Sequence, residues 1–197
     1  VRTVVDDRQI PGQFILTGSN AVDKSQIHHS GVGRIARLRM LPMSLWESQE
    51  STGEVSLKEL FNNPDYDIDG KMSKMTVEEL IFAASRGGWP ASLLARTPKA
   101  QLLVAKNYVQ TICSNDISSI DGKKRDARLT SMILRAYARN VSTLVKKKSL
   151  LDDVTSSGEV SCHVDTFDDY VAALEKLFVI QNISAWCPAI RSKTAIR

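Results

Sequence analysis

Long apolar runs are the first thing this 197-residue sequence lacks. No uninterrupted stretch approaches the roughly 18 apolar residues that a membrane span needs. The best segments, LIFAA at 80–84 and LFVI at 177–180, are far too short, and the N-terminal VRTVVDDRQ carries no apolar signal region. Cysteine is scarce as well. Cys113, Cys162 and Cys187 are odd in number and widely spaced, which argues against a disulfide framework and fits a reducing compartment. A soluble, cytoplasmic protein with no membrane partner is expected. A G-x-x-x-x-G-K-[ST] phosphate loop is absent, since Gly70 and Lys71 are followed by Met72 and no glycine stands five residues before Gly70. Also absent is an apolar run ending in paired acids that would hold Mg²⁺, so the chain alone is not expected to hydrolyse ATP. His28–His29 and Cys162–His163 are neighbours in sequence, which rarely face one metal, and no C-x-x-C supports them, so no metal site is expected.

What is present is enough for a globular core: 43% of residues are apolar and 24% charged. At roughly 150 residues per domain, the length suits one large domain or two small ones. The first residue is Val1 rather than Met, and the closing RSKTAIR has no turn or capping signal, which reads as a piece of a longer chain. The net charge of +4 is the remainder of opposed blocks. Residues 121–148 hold nine Lys and Arg against two Asp, and residues 149–177 hold seven acids against one Lys. Residues 42–70 hold seven acids against Lys58 alone. Such blocks mark solvated faces or intramolecular partners.

Along the chain, QFIL at 13–16 reads as a strand buried on both faces, ending in the turn formers Thr17, Gly18, Ser19 and Asn20. RIARLRML at 34–41 reads as a second strand closed by Pro42, and together the two suggest the edge of a parallel α/β sheet. The chain then turns polar and acidic, with a loop at 62–70, before becoming helical. VEELIFAASRGG has Leu80, Ile81 and Ala84 at helical spacing and a C-cap at Gly87 and Gly88. Thr97 and Pro98 begin a helix with Leu102, Ala105, Val109 and Ile112 on one side. A long helix is predicted from about Lys124 to Lys148, then a short helix at SLLDDVTS and another over 165–176. With LFVIQNISAW, including Ile183 and Trp186, as the strand and wing, this is the order of a winged helix-turn-helix.

Several of these runs carry a resemblance. GQFILTGSN, then GVGRIARLRMLPMSLWE, resembles the end of the nucleotide-binding core of a prokaryotic AAA+-like ATPase family, whose members add a winged helix and a C-terminal domain similar to a restriction-nuclease fold. ELIFAASRGGWP resembles that family's leucine-rich helix followed by G-G-[FW]-P, and NYVQTICSNDIS its tyrosine-containing helix. The resemblance implies a mainly α chain with a small α/β part. Residues 1–45 would be the tail of the P-loop ATPase core, 46–120 a linker and helical lid, and 121–197 the winged-helix domain. It implies that Thr17, Ser19 or Asn20 senses the γ-phosphate and that Arg34 reaches a neighbouring subunit's nucleotide as a finger. Read without the resemblance, TGSN is a turn and Arg34 a surface residue at a helix end. ATP and Mg²⁺ would be bound by the intact protein and not tightly by this piece. Its partners would be the remaining parts of the same chain and other copies of it. The phosphate loop, the Mg²⁺-binding acids and the nuclease-like domain are all outside this sequence.

DNA is the alternative partner. The helix over 165–176 would enter the groove, but its Asp165, Asp168, Asp169 and Glu175 repel phosphate. The better candidate is the preceding helix, where Arg128, Arg135, Arg139 and Lys146 would form a stripe about 27 Å long. That stripe suits a DNA backbone, the acidic linker or a neighbouring subunit. A DNA-binding winged-helix regulator and a protein-interaction module therefore stand beside the ATPase reading.

Overall fold

The computed structural model describes residues 1–18, 35–36, 38–156, 158 and 160–183. Among them the chain is mainly helical and contains no strand. The helices are α1 (Arg2–Arg8), α2 (Leu57–Asn62), α3 (Val77–Arg86), α4 (Pro90–Leu93), α5 (Pro98–Thr111), α6 (Ile117–Ser119), α7 (Ala127–Arg139), α8 (Lys147–Thr155) and α9 (Val164–Lys176). A π-helical turn, Ile112–Asp116, links α5 to α6. No described helix is long and apolar enough to cross a membrane. The chain divides into two compact units, one made of Val1–Arg34 with Ile112–Arg197, the other of Ile35–Thr111.

The two expected strands are corrected. QFIL takes no strand structure, and Ile15 is 93% exposed where a strand buried on both faces would hide it. Of the second, Leu38 and Met40 are exposed and irregular, and Arg34 and Arg37 lie outside the described residues. An apolar run supplies β propensity, but a strand also needs a pairing neighbour, and none is formed among the described residues.

In the discontinuous unit, α7 packs on α8 and α9 around a core of Ile112, Ile117, Leu129, Ile133, Ala136, Leu150, Val154, Phe167, Tyr170 and Leu174. The apolar side chains of α7 recur every three or four residues, so one stripe faces the neighbouring helices. Asp126 caps α7 by accepting from the Leu129 N–H at 2.7 Å, and the Tyr170 hydroxyl accepts from the Asp126 N–H at 2.7 Å. Arg125 ties the loop before α7 to α9. Its five N–H groups reach Asp121 (2.7 and 2.8 Å), Asp169 (3.0 and 2.8 Å) and the Ile117 carbonyl (2.7 Å), so this buried guanidinium is fully satisfied. Lys123 adds a further contact to Asp169 at 2.5 Å.

The predicted helix over 124–148 is broken. α7 ends at Arg139, Asn140 bonds back to the Ala136 carbonyl through its side chain, Ser142 takes a φ of 58°, and α8 starts at Lys147. Polar side chains that bond their own backbone compete with helix continuation. The described part of the expected wing, through Ile183, forms no strand, and Trp186 lies outside the described residues.

In the other unit, α3 packs on α5 and α5 on α4. Thr76 and Glu79 form a capping box at the start of α3: the Thr76 hydroxyl accepts from the Glu79 N–H at 3.2 Å, and the Glu79 carboxylate accepts from the Thr76 N–H at 2.8 Å. The Thr97 hydroxyl accepts from the Ala100 N–H at 3.2 Å, next to Pro98 at the first position of α5. The Ser92 hydroxyl, fully buried, lies 3.0 Å from the Arg86 carbonyl and 2.9 Å from that of Gln101, holding the end of α3 near α5.

Candidate functional site

The geometry with most chemical content lies where LPMSLWE meets RGGWP. Ser44 and Glu47 cap each other: Glu47 Oε2 accepts from both the backbone N–H and the hydroxyl of Ser44 at 2.8 Å, and the Ser44 hydroxyl accepts from the Glu47 N–H at 3.3 Å. These bonds hold the Glu47 carboxyl below the usual carboxylate range, the backbone bond contributing most. They nucleate one helical turn, which Gln49 ends with a left-handed φ of 62°. The chain then reverses so that the Glu50 N–H reaches the Leu45 carbonyl at 2.8 Å.

Each residue of G-G-W-P has a physical task. Gly87 ends α3 at φ 73°, and a Cβ there would press into the Trp89 indole. Gly88 lies against the Met43 backbone, where its carbonyl accepts from the Met43 N–H at 2.8 Å, and a Cβ would stand only 2.9 Å from that nitrogen. Trp89 packs on Tyr108 of α5, ring centres 4.6 Å apart. Pro90 opens α4 at a position where its missing N–H costs nothing.

Between these segments lies an open cleft of about 410 Å³, lined by Met43, Glu47, Ser48, Gln49, Glu50, Arg86, Pro90, Leu93 and Leu94. Arg86 is only 6% exposed. Its Nη2 donates to Glu50 Oε2 at 2.5 Å, and the guanidinium lies 5.9 Å from the centre of the Phe82 ring. Its Nε–H is buried and has no partner. Leaving such a donor unpaired costs about 1–3 kcal/mol. The Ser48 hydroxyl, at 2.6 Å, is the main cause that lowers the Glu50 carboxyl's pKa, with Arg86 adding to it.

None of the described residues expected from the sequence lines this cleft. Thr17 is exposed in an irregular segment, and Ser19, Asn20 and Arg34 lie outside the described residues. Of the expected basic stripe, Arg128, Arg135 and Arg139 lie on α7, but Lys146 precedes α8, so the break at 140–146 prevents one continuous 27 Å line. Arg139 is held by Asp153 through two bonds, of 2.9 and 2.8 Å. On α9, Asp168 pairs with Lys147 and Asp169 with Arg125 and Lys123. Much of the opposition between the basic and acidic blocks is thus neutralised inside the unit. Among the described residues no three His, Cys, Asp or Glu side chains converge as metal ligands.

Sequence reasoning missed Arg86, Glu50 and Arg125. An Arg in the last turn of an amphipathic helix reads as a partner of the helix dipole, and nothing local signals its burial against a Glu 36 residues away.

Residues 77–197 match the family model described as a domain of unknown function, DUF8612. The chain belongs to the DUF8612 family. The DUF8612 match begins at the first residue of α3, so it contains Arg86, Pro90, Leu93 and Leu94 from one wall of the cleft. The 43–50 wall precedes it. No curated protein and no solved structure matches the chain.

Proposed function

We propose that this chain is part of a prokaryotic AAA+-like ATPase, to which it contributes the tail of the P-loop core, a helical lid and a winged helix-turn-helix. In this reading the intact protein hydrolyses ATP to ADP and phosphate and uses the reaction to drive a conformational change. The observation that carries the proposal is the order and juxtaposition of two motifs. PMSLWE and GGWP each resemble a segment of that family, and they meet through the Met43–Gly88 hydrogen bond although these two positions are 45 apart in sequence.

Thr17 stands exposed, and no set of metal ligands converges among the described residues. In this reading the phosphate loop and its acidic partner belong to the intact protein, with Thr17, Ser19 or Asn20 as phosphate sensor and Arg34 as finger. A guanidinium at that place neutralises charge that builds on the transferred phosphoryl group. Equilibrium binding of a fluorescent ATP analogue tests the reading: the intact protein should bind it in the presence of Mg²⁺ and residues 1–197 alone should not. Failure of the intact protein to bind would refute it.

A DNA-binding regulator has less support, because the expected stripe is split and Arg139 is engaged by Asp153. A protein-interaction role is favoured by one observation, the open cleft beside Arg86.

A further inference from the structure

We propose that the connection between α7 and α8, residues 140–146, docks on an anionic lipid surface and inserts Val141 and Leu144 among the headgroups. Both side chains stand clear of the protein, Leu144 97% exposed and Val141 72%. Single apolar residues on a surface are ordinary, so what matters is the setting of this pair. The turn that carries them is fixed. Asn140 Nδ2 donates to the Ala136 carbonyl at 2.8 Å, and the Thr143 hydroxyl and N–H donate to the Asn140 carbonyl at 2.7 and 3.2 Å. Between them Ser142 holds a φ of 58°, in the left-handed region that residues other than glycine seldom occupy. A turn set in this way is ordered before it docks, which lowers the entropic cost of binding.

The charge on either side of the turn selects the partner. Residues 127–151 hold six Lys and Arg and no acid. Two of the six are neutralised within the unit, Arg139 by Asp153 and Lys147 by Asp168. Arg135, one turn before the end of α7, and Lys146 and Lys148, at the start of α8, are exposed and make no ion pair among the described residues. α8 has no acid in its first turn and no side-chain cap, so its N-terminal N–H groups add to the positive field. Apolar insertion and the attraction of cations to acidic headgroups act together in peripheral membrane binding, which needs no spanning helix. Duplex DNA would meet the cations but give Leu144 nothing apolar to enter. A specific protein interface buries about 800 Å² on each partner against a matching shape, far more than two side chains offer. A lipid surface requires no matching shape. This inference is independent of the ATPase reading.

Co-sedimentation of the full chain with vesicles tests it, using phosphatidylcholine alone and phosphatidylcholine mixed with an equal part of phosphatidylserine. The chain should bind the mixed vesicles about tenfold or more tightly than the neutral ones. Leu144→Ser, and separately the pair Lys146→Gln with Lys148→Gln, should each weaken that binding about tenfold. The pair Lys99→Gln with Lys106→Gln removes as much charge from α5 in the other unit and should leave binding unchanged. Duplex DNA added at equal phosphate concentration should not displace the chain. Because Leu144 lies in solvent, its substitution should keep the helical circular dichroism signal. The proposal is overturned by no binding to the mixed vesicles, by equal binding to both kinds, or by full affinity in Leu144→Ser or in the Lys146 and Lys148 pair. An equal loss in the α5 pair would mean adsorption by net charge, displacement by DNA a nucleic-acid partner, and unfolding of Leu144→Ser a side chain packed within the protein. Each of these overturns it as well.

Discussion

Replacing Arg125 by Met removes a side chain that makes five hydrogen bonds in the discontinuous unit while keeping most of its volume. The guanidinium side chain is 2% exposed, whereas those of Asp121 and Asp169 are 25% and 33% exposed. The substitution takes the guanidinium from two carboxylates and the Ile117 carbonyl, leaving Asp169 with Lys123 and Asp121 with the Lys123 N–H. Removing one member of a buried ion pair costs about 3–5 kcal/mol, and because both carboxylates can regain water here, the lower end, about 3 kcal/mol, is expected. Arg125→Lys keeps the charge but not the planar fork that serves three acceptors at once, so it should recover only part of the loss. Urea denaturation followed by far-UV circular dichroism measures the change, and hydrogen exchange in α7 and α9 assigns it to this unit. A pH series adds a sign. The Arg125 guanidinium is the main cause that holds the Asp121 carboxyl down at about 2 against an ordinary 3.8. The folded-state pKa is depressed, so this stabilisation is fully present well above 3.8 and is lost as pH falls from there towards 2. The gap between the unmodified chain and Arg125→Met should therefore narrow between pH 5 and pH 3. A variant within 1 kcal/mol of the unmodified chain at pH 7, or a gap that widens on acidification, would refute the reasoning.

Gly88→Ala should destabilise the 35–111 unit by about 1–3 kcal/mol, because the added methyl meets the Met43 backbone, which has no rotamer with which to move away; Trp fluorescence during urea denaturation reports it, and a neutral result removes the close contact. Thr76→Ala should cost about 1 kcal/mol through the lost capping box, with faster amide exchange confined to the first turn of α3. Anisotropy against duplex DNA across a salt series should show no steep response; a log–log slope of about −3 or steeper, as four phosphate contacts would give, would reinstate the DNA reading.

The helices were legible where chain-local signals agree. Gly87 and the spacing of Leu80, Ile81 and Ala84 mark α3, Thr97 and Pro98 open α5, and the recurrence of Phe167, Tyr170, Val171 and Leu174 marks α9. The long helix was misread because Val141, Leu144 and Val145 keep the helical period through a segment where Val141 and Leu144 in fact face solvent. Asn140, Ser142 and Thr143 were the opposing signal, since their side chains are of the kind that bond the nearby backbone and compete with helix. The strands failed for a different reason: QFIL has the composition of a buried strand, but pairing is a tertiary fact that composition does not carry. The cleft was half visible. GGWP and PMSLWE stood out as motifs, while the burial of Arg86 and its pairing with Glu50 depend on a contact across 36 positions that neither segment encodes alone.

The central claim is tested most directly by phosphate release from ATP by the intact protein, compared with its Arg34→Ala variant. The account predicts Mg²⁺-dependent turnover that the substitution lowers about a thousandfold, the lower range for loss of an arginine finger. No turnover by the intact protein, or equal turnover by the two, would contradict it.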